Sequence, residues 1–405
     1  MSSSNSRGRD EKRYFNNPFP NWNESAEASS FLESNTISES NGYLRLKLDS
    51  ALAIKIREAQ DQLTSIIDNA YFIKRERDFM DYSVYTGLSG ILYLFKALNR
   101  TVDEDHVLEC LESKSIKKRL GFLGGIVGPL AFASAYGNQK EKYLKVLLKL
   151  KDSTLFHEAP EEFLYGKAGY LFALLLVKKE NPHFVQIDEV IKLIISVLFK
   201  KGLSKSTSSL QYEWHEKEYL GGAHGYAGIL STLLRAKAFM SSSHLSTIRS
   251  KIDDLRKLQF ESGNFPSSTS SSNGDKLVHW CHGAPSFSDL YLLAFETFKD
   301  EKYLKVAEKC LNVIWERGLL KKGFGLCHGS SGNGYSFLLA YKNTQDPKYM
   351  YMALRFAEWC MDFRNPKCST PDRPYSLFEG LAGNLFFLYH VQQSVPDTYF
   401  PCYTI

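Results

Sequence analysis

Two short segments of this chain put a thiol beside an imidazole just ahead of a glycine. One reads His279-Trp280-Cys281-His282-Gly283, the other Gly325-Leu326-Cys327-His328-Gly329. A third, His224-Gly225, offers an imidazole at the same place without the thiol. Thiolate sulfur and imidazole nitrogen are donors that zinc prefers. Two thiolates with one imidazole leave a fourth position for water or substrate, as in catalytic rather than structural zinc sites. A lone Cys-His pair reads most simply as a buried thiol beside a core histidine, but two Cys-His-Gly pairs in matching positions favour a metal. Spacing alone leaves His282 and His328 as alternatives for the third ligand. The other cysteines, Cys110, Cys310, Cys360, Cys368 and Cys402, lack such company and read as structural thiols. An odd, widely spaced set of seven with no secretory leader fits a reducing compartment.

What would bring these segments together is a repeat. Seven times the chain shows glycine, two residues, glycine or serine, then an apolar run. The first glycines are Gly87, Gly125, Gly166, Gly225, Gly283, Gly329 and Gly380, spaced by 38, 41, 59, 58, 46 and 51 residues. The fifth copy departs, with Ser286 as its second small residue. Such periodicity outranks local secondary-structure signals. Between copies lie amphipathic segments such as Glu141 to Lys151, Lys302 to Arg317 and Lys348 to Phe363. Each repeat therefore predicts a helix pair, an inner helix apolar on all sides followed by an amphipathic outer one. An open solenoid needs polar caps at its ends, and the first and last copies are as apolar as the rest. The reading is an all-α, seven-fold α/α toroid, a double ring of inner and outer helices. The glycines permit close packing and would leave bare backbone N–H groups at the inner helix starts, an electropositive basin at one end of the ring. Cys281, Cys327 and the histidines converge on that end.

Length alone, 405 residues, suggests two or three domains. The repeats replace that with one domain over 42–405, preceded by a flexible Ser-rich arm over 1–41. Ten serines fall in the first forty residues, and the aromatics of Phe15 to Trp22 are candidates to anchor the arm. The Ser267 to Ser272 loop also reads as mobile. A net charge of +5, from 50 Lys+Arg against 45 Asp+Glu, is mild and does not call for nucleic acid. Gly121 to Gly137 carries no charge over 17 residues, yet its Gly and Ala content suits a buried helix better than a membrane span. Ser2 excludes N-myristoylation.

The repeats, the two Cys-His-Gly segments and Ser376-Leu377-Phe378-Glu379-Gly380 together resemble the LanC-like proteins, eukaryotic relatives of the bacterial lanthionine synthetase cyclases. Tyr212-Glu213-Trp214, Gly221-Gly222-Ala223-His224-Gly225 and Leu164-Tyr165-Gly166 strengthen the match, and Asp372-Arg373-Pro374 looks closest to plant members. The resemblance covers the chain from about residue 42 onward. It implies one zinc ion per chain held by Cys281, Cys327 and His328, which breaks the tie above. It also implies a transferase reaction, addition of the thiol of glutathione, the co-substrate, to dehydroalanine or dehydrobutyrine in proteins. His224 is then the candidate acid/base, because an imidazole titrates in the working range. For the glutathione carboxylates, Lys322 matches a contact of the animal members. A second contact falls on the loop Ser369-Thr370-Pro371-Asp372, where those members begin with Arg, this chain has Ser369, and Arg373 stands close by. Arg13 lies where some members have an Arg near the ligand.

A competing class is a non-catalytic zinc- and glutathione-binding scaffold. Its signalling role would be abscisic acid-linked, with a protein kinase or other signalling partner and peripheral membrane association through the basic arm. A carbohydrate-acting toroid would want paired catalytic carboxylates, and the helix-start motifs show no acidic pair. The location that follows is the cytoplasm, with the nucleus or the plasma-membrane surface as alternatives.

Overall fold

The computed structural model describes residues 12–22, 26–74, 81–100, 119–206, 209–272 and 274–405. From the N-terminal side these form α1 (Ala26–Asn35), a small antiparallel pair β1 (Thr36–Ser38) and β2 (Leu44–Leu46), α2 (Ala51–Asp68) and α3 (Leu88–Ala97). Next come α4 (Val127–Tyr136), α5 (Lys140–Lys149), the short α6 (Thr154–Glu158), α7 (Lys167–Glu180), α8 (Ile187–Gly202), α9 (Tyr226–Arg235) and α10 (Ser242–Arg256). The series ends with α11 (Ala284–Phe298), α12 (Glu301–Arg317), α13 (Ser330–Thr344), α14 (Pro347–Cys360) and α15 (Leu381–His390).

Seven of these, α3, α4, α7, α9, α11, α13 and α15, each begin within two residues of a repeat glycine. Each packs on the next, and α15 packs on α3, so the inner ring closes. In α7 every residue from Lys167 to Val177 is buried, as an apolar helix covered on all sides must be. The outer helices bury one face only. In α12 that face is Tyr303, Val306, Ala307, Cys310, Leu311, Ile314 and Trp315. The chain is thus an all-α, seven-fold α/α toroid. No described helix is long and apolar enough to cross a membrane.

The order of the pairs differs from the sequence expectation at one place. Outer helices α5, α8, α10, α12 and α14 follow their inner partners, but α15, the last inner helix, is covered by α2, which precedes the first. The two ends of the ring therefore lock each other, and no capping repeat is required. Among the described residues, 12–22 and 26–41 are laid on the ring. Phe15 N–H donates to the Leu319 carbonyl (2.8 Å), and Trp315 Nε1–H donates to Asn21 Oδ1 (2.6 Å). Phe15 packs on Trp359, Trp22 on Tyr351, and the Arg355 guanidinium lies 3.5 Å from the Phe31 ring centre. These aromatics offset the ordering entropy that the serines alone could not. The serine loop is likewise pinned, since Leu220 N–H donates to Ser267 (3.0 Å) and Thr269 N–H to Glu218 (3.0 Å). Cys110 lies outside the described residues.

The expected bare N–H groups are not found at the inner helix starts. The residue after the first glycine donates to a carbonyl seven positions back, as in Leu88 to Asp81 (2.7 Å), Lys167 to Pro160 (2.8 Å), Tyr226 to Tyr219 (3.1 Å) and Leu381 to Pro374 (2.8 Å). Each inner helix is therefore preceded by a tight loop that folds over its end. The second glycine of the motif lies beneath that loop, and a Cβ there would run into a loop carbonyl, such as that of Leu326 over Gly332. The fifth repeat, which has Ser286 instead, is built differently. Gly283 takes φ 110°, and the Asn264 side chain accepts from Ala284 N–H (2.8 Å). After α15 the chain returns to the ring axis, where Phe400 and Tyr403 are buried against Trp280 at 5.9 and 5.1 Å between ring centres.

Gly332→Ala should therefore lower the thermal midpoint by about 5 °C or more, because the obstacle is backbone and the affected loop carries Cys327. An unchanged midpoint in a thermal melt would contradict this packing.

Candidate metal centre

The seven helix-start loops are joined to one another by backbone hydrogen bonds that run once around the ring. Tyr85 N–H donates to Leu123 (3.0 Å), Gly124 to Leu164 (3.1 Å), Leu164 to Ala223 (3.0 Å) and Gly222 to Trp280 (3.2 Å). Cys281 donates to Cys327 (3.4 Å), Cys327 to Phe378 (2.7 Å) and Phe378 to Tyr85 (3.1 Å), which closes the circle. The belt aligns the residue two before the first glycine in every repeat: Tyr85, Leu123, Leu164, Ala223, Cys281, Cys327 and Phe378. Close approach between neighbouring loops requires glycine at Gly121, Gly221 and Gly325, where a Cβ would meet the backbone of the next loop.

On this belt the Sγ atoms of Cys281 and Cys327 and one ring nitrogen of His328 all lie within 4.8 Å of one another. Among the described residues they are the group of three that could hold a metal ion, and His282 is not part of it. The donors fit such an ion: two sulfurs and an imidazole, close enough to share one centre, and a set that suits zinc. Without a cation the site favours a neutral thiol at Cys327. Burial and the neighbouring Cys281 sulfur push Cys327 well above the ordinary thiol range. Burial pulls His328 down, but its hydrogen bond to Cys327 and the charge there outweigh this and raise it. His279 is pulled down to about 3 by burial and by the nearby charges of His328, Lys322 and Arg13. His282 falls to about 4, chiefly through burial, and its buried Nδ1 has no hydrogen-bond partner. Both are neutral imidazoles at neutral pH.

His224 stands one repeat along the belt. Its Nδ1 is 2.6 Å from Glu162 Oε2. The Glu162 side chain is only 2% exposed and also accepts from the backbone N–H groups of Leu164 (3.0 Å) and Tyr165 (2.5 Å). With its oxygens engaged as acceptors, the hydrogen belongs on His224 Nδ1, which leaves Nε2 as the free acceptor. Trp214 stacks on the imidazole at 4.2 Å, and Tyr165 lies on it at 5.9 Å. Trp214 is held by a tight turn through His215 and Glu216, both with positive φ (48° and 59°), closed by reciprocal bonds between Trp214 and Lys217.

Cations gather on the opposite side. Lys322 is exposed, and its charge acts on His279, His282, His328 and Glu379. Arg13 is brought beside His279 because Lys321 N–H donates to its carbonyl (3.0 Å). The Ser369 N–H donates to the Lys321 carbonyl (2.7 Å), which fixes the following loop next to Lys322. From that loop Asp372 and Arg373 act electrostatically on Glu379, whose carboxyl is raised mainly by burial. Ser369 and Thr370 are exposed, Pro371 is half-buried, and the described contacts tie neither Thr370 nor Pro371 to the sulfur cluster. Glu162, Glu379, Trp214 and Tyr85 were not singled out in the sequence as site residues. The signal was present in the register: Glu379 occupies the place of His224 and His328, Tyr85 that of the two cysteines, and Glu162 that of His279. Glu162 and Glu379 thus place carboxylates at two inner helix starts where the motifs showed no acidic pair, though Glu162 is engaged by His224.

Residues 78–405 match the family model for lanthionine synthetase C-like proteins. Over 419 aligned residues the chain is 34% identical to a zebrafish (Danio rerio) protein named Glutathione S-transferase LANCL1, covering 98% of this chain and 100% of that one. Among solved structures, nisin cyclase superposes with a TM-score of 0.63 at 20% identity, covering 82% of this chain and 93% of that one, a likeness of fold. A closed ring of seven inner helices, the belt-borne Cys281, Cys327 and His328, and a match over most of its length establish that this chain belongs to the lanthionine synthetase C-like protein family.

Proposed function

We propose that the protein joins the thiol of glutathione to the β-carbon of dehydroalanine or dehydrobutyrine residues in proteins, at a zinc ion held by Cys281, Cys327 and His328. The observation that carries this reading is the convergence of those three donors, within 4.8 Å, on a rim that also holds the His224–Glu162 pair. The 34% identical relative named a glutathione S-transferase supports the choice of thiol. A zinc ion so held would lower the pKa of the glutathione thiol, so that the thiolate forms at neutral pH. The remaining work falls to the chain. Lys322, with Arg13 and Arg373, supplies cations for the two carboxylates of glutathione. The loop from Ser369 to Asp372 borders them and takes the place of the side-chain contact that Ser369 cannot make.

The reaction is an addition without redox change. The S–H bond is lost and an S–C bond forms at the β-carbon. The π electrons move toward the carbonyl, and a proton then arrives at the α-carbon. His224 fits the proton step, because Glu162 fixes its tautomer and leaves Nε2 facing away from the carboxylate. Trp214, stacked on the imidazole, shields that face from water. The reading places the protein in the cytoplasm, where glutathione is kept reduced.

Wild-type protein incubated with glutathione and a dehydroalanine-containing peptide should yield the thioether adduct by mass. Cys281→Ala and His224→Ala should each lose about 100-fold or more in rate. Equal activity in Cys281→Ala would sink the metal-site reading. Glutathione binding with no adduct under any condition would favour the scaffold role. Glu162→Gln, close in shape, should cut the rate about 10- to 100-fold while leaving metal content unchanged. Full activity there would remove the tautomer argument. Zinc uptake should release protons and strengthen with pH, by about tenfold per unit for each proton displaced, because burial keeps the Cys327 thiol protonated until a cation replaces the proton. An affinity flat between pH 6 and roughly 8, measured with a competing chelator, would contradict this sign.

A further inference from the structure

Histidine stands one place before the first glycine in both the fifth and the sixth repeat, yet the two side chains part company. A ring nitrogen of His328 shares the cluster with the two sulfurs, and His282 does not. The His282 ring lies instead against Tyr219, with 6.2 Å between centres, and its buried Nδ1 has no hydrogen-bond partner. The backbone gives the reason. In six repeats the residue after the first glycine donates directly to the carbonyl seven positions back, including Ile126 to Arg119 (3.1 Å) and, in the sixth repeat, Ser330 to Gly323 (2.9 Å). In the fifth, the matching pair is Ala284 and Leu277, and the side chain of Asn264 bridges them. Its Oδ1 accepts from Ala284 N–H (2.8 Å), and its Nδ2 donates to the Leu277 carbonyl (3.0 Å). A carboxamide thus stands where the other loops make one direct bond, and the loop is wider by that group. Gly283 accommodates it with φ 110°, a conformation that favours glycine, whereas Gly329 in the sixth repeat is extended at φ −122°. Between the bridged ends, reciprocal bonds between His279 and His282 (3.0 and 3.2 Å) form a turn that carries Cys281. The bridge is itself held. Asn264 is fully buried, and its Nδ2 also donates to Asp275 Oδ1 (2.8 Å), whose other oxygen accepts from Arg317 Nη2 (3.0 Å). A carbonyl and a carboxylate can only accept, so the orientation of the amide is fixed.

We propose that Asn264 is a positioning residue that keeps His282 off the metal, so that the centre has three protein ligands and one open position. The inference rests on the metal reading above. Two Cys-His pairs in one register offer two sulfurs and two imidazoles, the donor set of a closed, structural zinc site. Three donors leave the fourth place for an incoming thiol. The inserted amide breaks the likeness between the two loops at the residue that follows each histidine. The sixth loop closes directly and turns His328 toward the sulfurs. The fifth closes through Asn264, brings Cys281 to the sulfurs and leaves His282 against Tyr219. One buried side chain, outside both Cys-His-Gly motifs, thereby separates an open centre from a closed one.

The test uses full-length protein with zinc bound and X-ray absorption at the zinc edge, where scattering from the imidazole ring counts histidine ligands. Wild type should show one. Asn264→Ala removes the amide and lets Ala284 bond directly to Leu277. It should show two imidazoles, hold zinc about 10-fold or more tightly against a competing chelator, and take up no further sulfur when glutathione is added. The double variant Asn264→Ala/His282→Ala should return to one imidazole and again accept the sulfur of glutathione, a rescue that mere loosening of the loop would not give. Asn264→Asp keeps the shape and the bond from Ala284 but loses the donor to Leu277, and should give a count between one and two. Should the alanine variant not fold, the count in Asn264→Asp decides. Bound zinc with one imidazole in both single variants, or a loss of zinc that His282→Ala does not rescue, overturns the role of Asn264 alone. Wild-type protein that holds no zinc overturns the metal centre, and this proposal with it.

Discussion

The circle of backbone hydrogen bonds linking the seven helix-start loops is the constraint on which the rest of this molecule depends. Each link is an ordinary N–H to carbonyl bond of 2.7–3.4 Å, worth about 1 kcal/mol net in isolation. Their value lies in closure. Because Phe378 bonds back to Tyr85, no loop can slide along the ring axis without breaking a bond at both of its sides. Side chains from repeats far apart in sequence are thereby held at one height. Cys281 and Cys327, 46 positions apart, become direct neighbours on the belt. The close approach explains the glycines physically. Those under the loops admit the loop carbonyls, and those at alternate loop starts admit the next loop.

Much of this was legible in the sequence, for reasons that can be named. The seven glycine motifs and the all-round apolar runs after them dictate covered inner helices, and amphipathic segments such as Lys302 to Arg317 dictate a covering layer. The end-to-end arrangement was not legible, because α2 carries no repeat glycine to mark it as the outer partner of α15. The aromatics of Phe15 to Trp22 were legible as an anchor, but not their partners, Trp359, Arg355 and Tyr351, more than three hundred positions away. The Cys-His-Gly pairs pointed to the right loops, but their spacing did not separate His328 from His282, since both precede a glycine by one residue; the family resemblance favoured His328, and proximity to the two sulfurs agrees. Glu162 was hidden for a different reason. A glutamate before a helix looks like a charge near a helix N-terminus, and nothing local shows that it is buried under a histidine 62 positions on. Position within the repeat, rather than residue type alone, was the usable signal.

The electrostatics of the rim follow from its depth. Burial favours the neutral form at Cys327, His279 and His282, and Lys322 and Arg13 stand near these groups. Because burial favours the neutral Cys327 thiol, metal binding there would be coupled to proton release. A cationic edge then suits a thiol carried on an acidic peptide. Beneath the rim, Trp280, Phe378, Phe400 and Tyr403 pack on one another. Scaffold and chemistry are therefore not separable here. Two of the stacked residues, Trp280 and Phe378, also make hydrogen bonds of the belt.

The central claim is that the belt assembles one metal centre with a position left for an incoming thiol. Zinc-edge X-ray absorption on the purified protein, before and after addition of glutathione, tests it most directly. The account predicts two sulfurs at about 2.3 Å from the metal before addition and three after it, with one nitrogen retained throughout. A sulfur count that does not rise with glutathione, or a protein that retains no zinc, would contradict it.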